Sequence, residues 1–408
     1  MNAILLHALL LSVTASAPPQ PIRPPSEKEA MQAVVTGNTA FAIDLHQQLR
    51  QQPGNLCYSP YSISTVLAMT SAGAQGRTLE QMTKTLHLNG DLATHRGVAA
   101  IARQMKQQRG YELNAANAMF VGKDVPWRKD FLDLTRLHYG SSIFTVDYAR
   151  PESARQSINA WVEGQTRKRI PNIIPSGSLN ADSKIVLVNA IYFKGQWDQP
   201  FKKQLTEPMF FSRTPDDKVK TPTMFQSGRF LYGENKEVQV LGMPYKGDDL
   251  MMIFILPRER NGLAALEKDL TGKHFQTWIA RLESWPTVDI FLPRFKMTFE
   301  FNLKQTLAAM GMTDLFGNDA NFGGMTTNHY PLKVSEVIHK AFLELQEEGT
   351  EAAAATAVMA VVGAAPGAFT QPPPRPEFRA DQPFLFSIVD RRSGSLLFVG
   401  RVSDPTKW

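Results

Sequence analysis

Residues 347–376 read Glu347-Glu348-Gly349-Thr350-Glu351, then Ala352-Ala353-Ala354-Ala355-Thr356-Ala357-Val358-Met359-Ala360-Val361-Val362-Gly363-Ala364-Ala365-Pro366, then a Pro-rich stretch ending at Pro376. From Ala352 to Phe369 no residue is charged. Four readings compete. Alanine favours a helix, with Glu351 well placed in a first turn. The uncharged run approaches the length of a membrane span, but it is Ala, Gly and Thr rather than Leu and Ile, and Pro366 interrupts it. Small residues and prolines also suit a flexible linker. The fourth reading is a strand held in reserve. With period two, one face carries Thr350, Ala352, Ala354, Thr356, Val358, Ala360 and Val362. None is charged or bulky, so this face can enter a packed sheet without forcing neighbours apart. The other face carries Glu351 with Ala353, Ala355, Ala357 and Met359. Gly349 offers a hinge just before the run. Composition leaves helix, linker and reserve strand open.

The run from Val334 to Thr356 (Val-Ser-Glu-Val-Ile-His-Lys-Ala, then Glu-Leu-Gln-Glu-Glu-Gly-Thr-Glu-Ala-Ala-Ala-Ala-Thr) resembles the hinge signature of the serpins, suicide inhibitors of serine and sometimes cysteine proteases. A second family signature follows at Phe378-Arg379-Ala380-Asp381-Gln382-Pro383-Phe384-Leu385-Phe386. Residues 59–73, Gly76 to Met82, Lys194-Gly195-Gln196-Trp197, Met243-Pro244-Tyr245 and Ile255-Leu256-Pro257 match further family segments. The resemblance implies a single α+β domain: a large central mixed sheet, two further sheets, about eight to nine helices and an exposed reactive-centre loop over 347–376. It also implies a shutter under the central sheet, built from Ser59, Ser62, Asn189 and His339. A breach at its top would hold Trp197 and Arg294, with Glu347 paired to Arg294.

Composition is compatible with this. The chain has 408 residues, 43% of them hydrophobic, enough for a large core. Net charge is +6 and the pI about 9.2, a mild basic bias and not by itself a nucleic-acid footprint. One cysteine, Cys57, excludes an internal disulfide, and its apolar surroundings indicate a buried structural thiol. Met1 to Ala17 is apolar and ends Ala15-Ser16-Ala17, so residues 1–17 are expected to be a secretory signal peptide, although its start lacks Lys and Arg. A disordered Pro-rich spacer is expected over 18–26, and the serpin domain over 27–408.

Helical spacing predicts helices over 27–50, 59–73 and 92–109, another opening at Ile158, and one over Phe301–Met310. Strands are predicted over Asn114–Val121, Met209–Phe211, Val238–Leu241, Met251–Leu256, Val288–Leu292 and Leu396–Val402. Ile185–Phe193 is apolar on both faces and reads as a fully buried strand, in which Asn189 is costly unless hydrogen-bonded. Arg96, Arg103, Lys106 and Arg109 lie in the 92–109 helix. Such a set is an ordinary solvated face or, by resemblance to several serpins, a site for heparin-like polyanions.

No catalytic constellation stands out. The eight histidines are dispersed, without a partner at i+4 or a nearby Cys, so no metal site is expected. There is no phosphate loop, no nucleotide-binding Gly fingerprint and no Gly-x-Ser-x-Gly elbow. Neither enzyme activity nor a cofactor is expected. The resemblance implies instead a substrate that jams its enzyme. A serine protease cuts the loop and forms an acyl-enzyme. The freed stretch from Gly349 then inserts into the main sheet, about 14 residues and on the order of 45 Å long.

Counting forward from Gly349 by the family's loop length puts the cleaved bond at Gly363–Ala364. Counting back from Pro383 puts it nine residues later, near Pro372. Insertion constrains the hinge side more, and proline-flanked bonds are poor substrates, so the excess is placed after the cut. The bait is then Val361, Val362, Gly363, Ala364 and Ala365, with Phe369 a weaker candidate. Small apolar residues without Arg or Lys suit elastase-like or subtilisin-like pockets. Gly349 and Thr350, with no charge or proline at inward positions, agree with inhibitory serpins. The other reading is a non-inhibitory serpin acting as carrier, chaperone or plain substrate. A secreted monomer is expected, with a covalently trapped protease as partner and neither nucleic acid nor membrane.

Overall fold

The computed structural model describes residues 23–106, 110–140, 142–328, 330–350 and 375–407. In chain order its elements are α1 (Glu27–Leu49), β1 (Leu56–Tyr58), α2 (Pro60–Ser71), α3 (Gly76–Leu86), α4 (Leu92–Lys106), β2 (Tyr111–Gly122), α5 (Lys129–Tyr139), β3 (Ile143–Val146), α6 (Pro151–Gln165) and β4 (Ile185–Gln196). There follow β5 (Glu207–Thr214), β6 (Asp217–Glu234), β7 (Val238–Pro244), β8 (Leu250–Pro257), α7 (Leu263–Lys268), α8 (Gly272–Ala280), β9 (Glu283–Pro293) and β10 (Phe295–Asn302). The last are α9 (Lys304–Ala309), β11 (Val334–Gln346), β12 (Gly349–Thr350), β13 (Glu377–Arg379), β14 (Phe384–Asp390) and β15 (Leu396–Val402).

Local chemistry accounts for several boundaries. Ser26, the last residue of the expected spacer, caps α1 and forms a capping box with Glu29; residues 1–22 lie outside the described residues. Ser59 caps α2 by accepting from the Ser62 N–H, and Pro60 takes the first helical position. α2 is buried nearly throughout. The helix expected to open at Ile158 begins at Pro151, again a proline in the first turn. The helix expected over Phe301–Met310 is shorter. Phe301 and Asn302 still belong to β10, paired with His339 and Ile338, and the helix spans only Lys304–Ala309. Strand pairing there overrides the local helical pattern.

The described strands form two hydrogen-bonded sheets, not three. The larger runs β1-β15-β14-β8-β7-β6-β9-β13, with β5 also on β6. Its unity comes from β6, which is 18 residues long: its first half pairs with β5 and its last residues with β7. The two further sheets of the resemblance are thereby joined. The central mixed sheet runs β10-β11-β12-β4-β2-β3. In it β11 lies parallel to β4, and β2 parallel to β3. β4 is buried at all positions but Lys194 and Gln196, as its two-faced apolar pattern requires. α6 covers one face, with Ile158 and Val162 against Ala116, Val188 and Tyr192. α2 lies behind the other. Cys57 is buried and free, and burial pushes its thiol pKa up.

Candidate functional site

The central sheet is closed below and open at the top. β11 pairs directly with β4 from Val334↔Ile185 to Phe342↔Tyr192. Above these rows β12 lies between them. Thr350 is opposite both Leu345 and Gly195, and Gly349 is opposite both Gln346 and Gln196. Glu347 and Glu348 form the turn that reverses the chain from β11 into β12. The first two residues of the predicted reserve strand are thus already in the sheet.

Gly349 has a reason to be glycine. Its φ is +143°, and a Cβ there would lie 2.1 Å from the Gly195 carbonyl oxygen and 2.7 Å from the Gln196 Cα. Gly195 is constrained too, because its own Cβ would meet Phe193 and Tyr245 at 2.7 and 2.8 Å. Thr350 is fully buried, and its hydroxyl lies 2.8 Å from the Tyr245 hydroxyl. Tyr245 stacks on Trp197, with centroids 4.6 Å apart and ring planes at 14°. The Trp197 indole N–H donates to the Gln346 carbonyl at 3.1 Å. The predicted breach is therefore an aromatic floor beneath the hinge.

The expected Glu347–Arg294 pair is present. Arg294 Nε donates to Glu347 Oε1 at 2.8 Å, a second guanidinium N–H donates to the same oxygen, and the Thr206 hydroxyl donates to it at 2.5 Å. Burial raises the Glu347 pKa, but these donors outweigh it and hold the carboxyl below its usual value.

The shutter lies lower, on a single row of the sheet. Phe301, His339, Asn189 and Asn117 are register partners across β10, β11, β4 and β2. His339 Nε2 accepts the Ser59 backbone N–H at 3.1 Å, and Nδ1 donates to Asn189 Oδ1. These partners fix the neutral tautomer protonated on Nδ1. Burial lowers the ring pKa to about 3. The Asn189 amide donates to Ser62 Oγ at 2.5 Å and to Asn117 Oδ1; Ser62 Oγ donates to that same Oδ1 at 2.7 Å. Phe301 stacks on the His339 ring at 7°. Ser59, Ser62, Asn189 and His339 are all fully buried, so each lost partner would strand a buried polar atom.

Every described shutter and breach residue named from the sequence falls into one of these two clusters. Asn117, Thr206, Tyr245, Phe301 and Lys203, whose Nζ lies 2.5 Å from Glu348 Oε1, were missed as site residues. Asn117 carried a usable signal, a lone amide inside Ala-Ala-Asn-Ala-Met-Phe, the argument applied to Asn189. Lys203 and Thr206 carried none. Arg96, Arg103 and Lys106 are exposed on α4, and Arg103 bonds Glu27 at 2.6 Å. Arg109, Glu351, Ala352 to Thr356, Val361 to Ala365 and Phe369 lie outside the described residues. The described chain resumes at Arg375, and the Pro376 carbonyl accepts the Asp289 N–H at 2.9 Å.

The model of the family described as serpin (serine protease inhibitor) matches residues 36–405. Human serpin B4 is 39% identical over 397 residues, covering 92% of this chain and all of that one. The leukocyte elastase inhibitor of Bos taurus is 38% identical over 387 residues, with the same coverage. Among solved structures, Serpin48 of the insect Tenebrio molitor superposes with a TM-score of 0.81 at 28% identity, covering 91% of this chain and 98% of that one. With this family model spanning most of the chain and relatives of this identity and coverage, the chain belongs to the serpin family.

Proposed function

We propose that this chain is an irreversible suicide-substrate inhibitor of elastase-like or subtilisin-like serine proteases. The observation that carries the reading is one of register. From Glu336↔Val186 upward, above a bulge between Val334 and Glu336, β4 and β11 are directly paired with the same offset that β12 imposes through its two-sided pairing: His339 is opposite Asn189 below, and Leu345 and Gly195 share Thr350 above. Admitting a strand between them therefore needs lateral separation and no sliding. Continued downward, the β12 register puts Ala352 against Leu343 and Phe193, and Thr356 against His339 and Asn189. It ends with Ala360 opposite Ile185 and Val361 opposite Val334. The inward residues are the small, uncharged face of the sequence.

Mechanistically, a protease serine attacks the carbonyl carbon of Gly363. The Gly363–Ala364 bond breaks, the amine of Ala364 leaves, and Gly363 stays esterified to the enzyme. The stretch after Thr350 then zips between β4 and β11, carrying the protease toward the opposite end of the sheet. The direct β4–β11 ladder is lost and two ladders replace it. That is a net gain on the order of ten backbone hydrogen bonds, each worth about 1 kcal/mol. In this register Gly363 lies three residues past the end of β4 and two past the end of β11, so the ester would reach the sheet's far edge. Similarity to leukocyte elastase inhibitors and the small apolar bait support the target class. Secretion after loss of residues 1–17 belongs to the same proposal. So does weak polyanion binding on α4, where Arg96, Arg103 and Lys106 share an exposed face.

The test is incubation of the purified chain with pancreatic or neutrophil elastase, followed by denaturing gels and N-terminal sequencing. An SDS-stable adduct and a released peptide beginning at Ala364 are expected. Complete cleavage without adduct by elastase and subtilisin alike would leave a plain substrate.

A further inference from the structure

The turn at Glu347–Glu348 is fastened to the segment that leaves β4. The Glu348 carbonyl accepts the Trp197 N–H at 2.9 Å, and the Glu347 carbonyl accepts the Phe201 N–H at 2.9 Å. Both carboxylates are held as well, each by a different cation. Arg294, on the β9–β10 connection, takes Glu347, while Lys203 places its Nζ 2.5 Å from Glu348 Oε1. The Glu348 side chain is only 15% exposed, and its second oxygen is buried without a hydrogen-bond partner among the described residues. Lys203 is half exposed and sits in a single 3₁₀ turn, Lys203–Leu205, just past the breach. An exposed Lys–Glu pair by itself contributes little. Here the carboxylate is mostly out of water, beside a second buried carboxylate in the same two-residue turn. Without Lys203, one of two adjacent acids would be buried uncompensated.

We propose that Lys203 is a positioning residue for loop insertion, acting through Glu348. It keeps the β11–β12 turn closed, so that zipping starts from a finished hairpin and need not nucleate one. Closing the reversal is the loop-closure step in pairing a strand, and each added row then needs no further closure. In the race between insertion and hydrolysis of the acyl-enzyme, a turn already closed favours insertion. The inference rests on the inhibitory reading above and extends it to a residue on neither the loop nor the shutter.

The test uses the full chain with elastase and compares wild type, Lys203→Met, Lys203→Arg, and Lys203→Met combined with Glu348→Gln. The readouts are the fraction ending as adduct rather than cleaved chain, the rate of loop cleavage, and hydrogen exchange at the Trp197 and Phe201 amides. For Lys203→Met, cleavage should proceed at the wild-type rate while the adduct fraction falls severalfold and both amides exchange faster. Lys203→Arg should restore the adduct fraction, and the double variant should recover part of it by removing the stranded carboxylate. An unchanged adduct fraction in Lys203→Met, with wild type forming adduct, overturns the inference. So does equal impairment of Lys203→Arg. If wild type forms no adduct, the inhibitory reading itself fails. The exchange data then judge the clamp alone: unchanged protection overturns it and faster exchange supports it.

Discussion

The top of the slot between β4 and β11 and its middle are held by opposite chemistry. At the top two carboxylates are neutralised by Arg294 and Lys203, both partly exposed to water, and the slot is already occupied by Gly349 and Thr350. In the middle the buried bridge beside α2 is made of neutral groups. A neutral His339, two asparagines and two serines bridge α2, β2, β4 and β11 through buried hydrogen bonds, and the strands are in direct contact. Ion pairs near water tolerate rearrangement and salt; a buried neutral network tolerates neither a missing partner nor an added proton. The two levels of the slot therefore differ in how they respond to a lost partner.

The largest effect expected from breaking this contrast is at Thr350. Thr350→Arg puts a cation where the wild-type side chain is fully buried against Tyr245. Adduct formation should disappear while elastase still cuts the loop, as read on denaturing gels. Next is the shutter. Asn189→Ala leaves the His339 N–H, Ser62 and Asn117 short of partners and should lower stability by about 3 kcal/mol in urea unfolding. Arg294→Met strands Glu347, but the guanidinium is 38% exposed, so about 1–2 kcal/mol is expected from the same measurement.

Acid sharpens the comparison. The unfolded His339 ring titrates near 6.5, whereas the folded ring stays neutral down to about 3. Between those values the unfolded chain binds the extra proton. The stability present above pH 6.5 is lost as pH falls, by roughly 1 kcal/mol per unit. His95, held neutral to about 4 by burial and by His138, adds a loss of the same sign. Melting temperatures between pH 7 and 4.5 should fall, and less steeply in His339→Gln. The smallest effect is expected far from the slot: Arg103→Gln breaks an exposed pair with Glu27 and should change stability by less than about 0.5 kcal/mol.

Much of the site was legible because its residues break local patterns. An amide in the apolar run of β4 demanded a partner, and it has three. The hinge stood out by an absence of charge with period two. Gly349 was read as a flexible joint, but its requirement is closer contact: the backbone of Gly195 and Gln196 leaves no room for a Cβ. Lys203 and Thr206 were illegible because a single cation or hydroxyl in a polar connection has no pattern to violate. The joined nine-stranded sheet was missed because no strand was predicted within Asp217–Glu234, and only pairing with β5 and β7 reveals one continuous strand there.

The amino-acid sequence by itself determined the centres of many of the strands and helices, the uncharged period-two face after Gly349, and the family. Only the tertiary structure decided that the β4–β11 offset equals the one β12 imposes, and that the Glu347–Glu348 turn is closed. Strand propensity and alternation are local properties. Register between strands 150 residues apart is set by long-range pairing and packing, which no window of sequence contains.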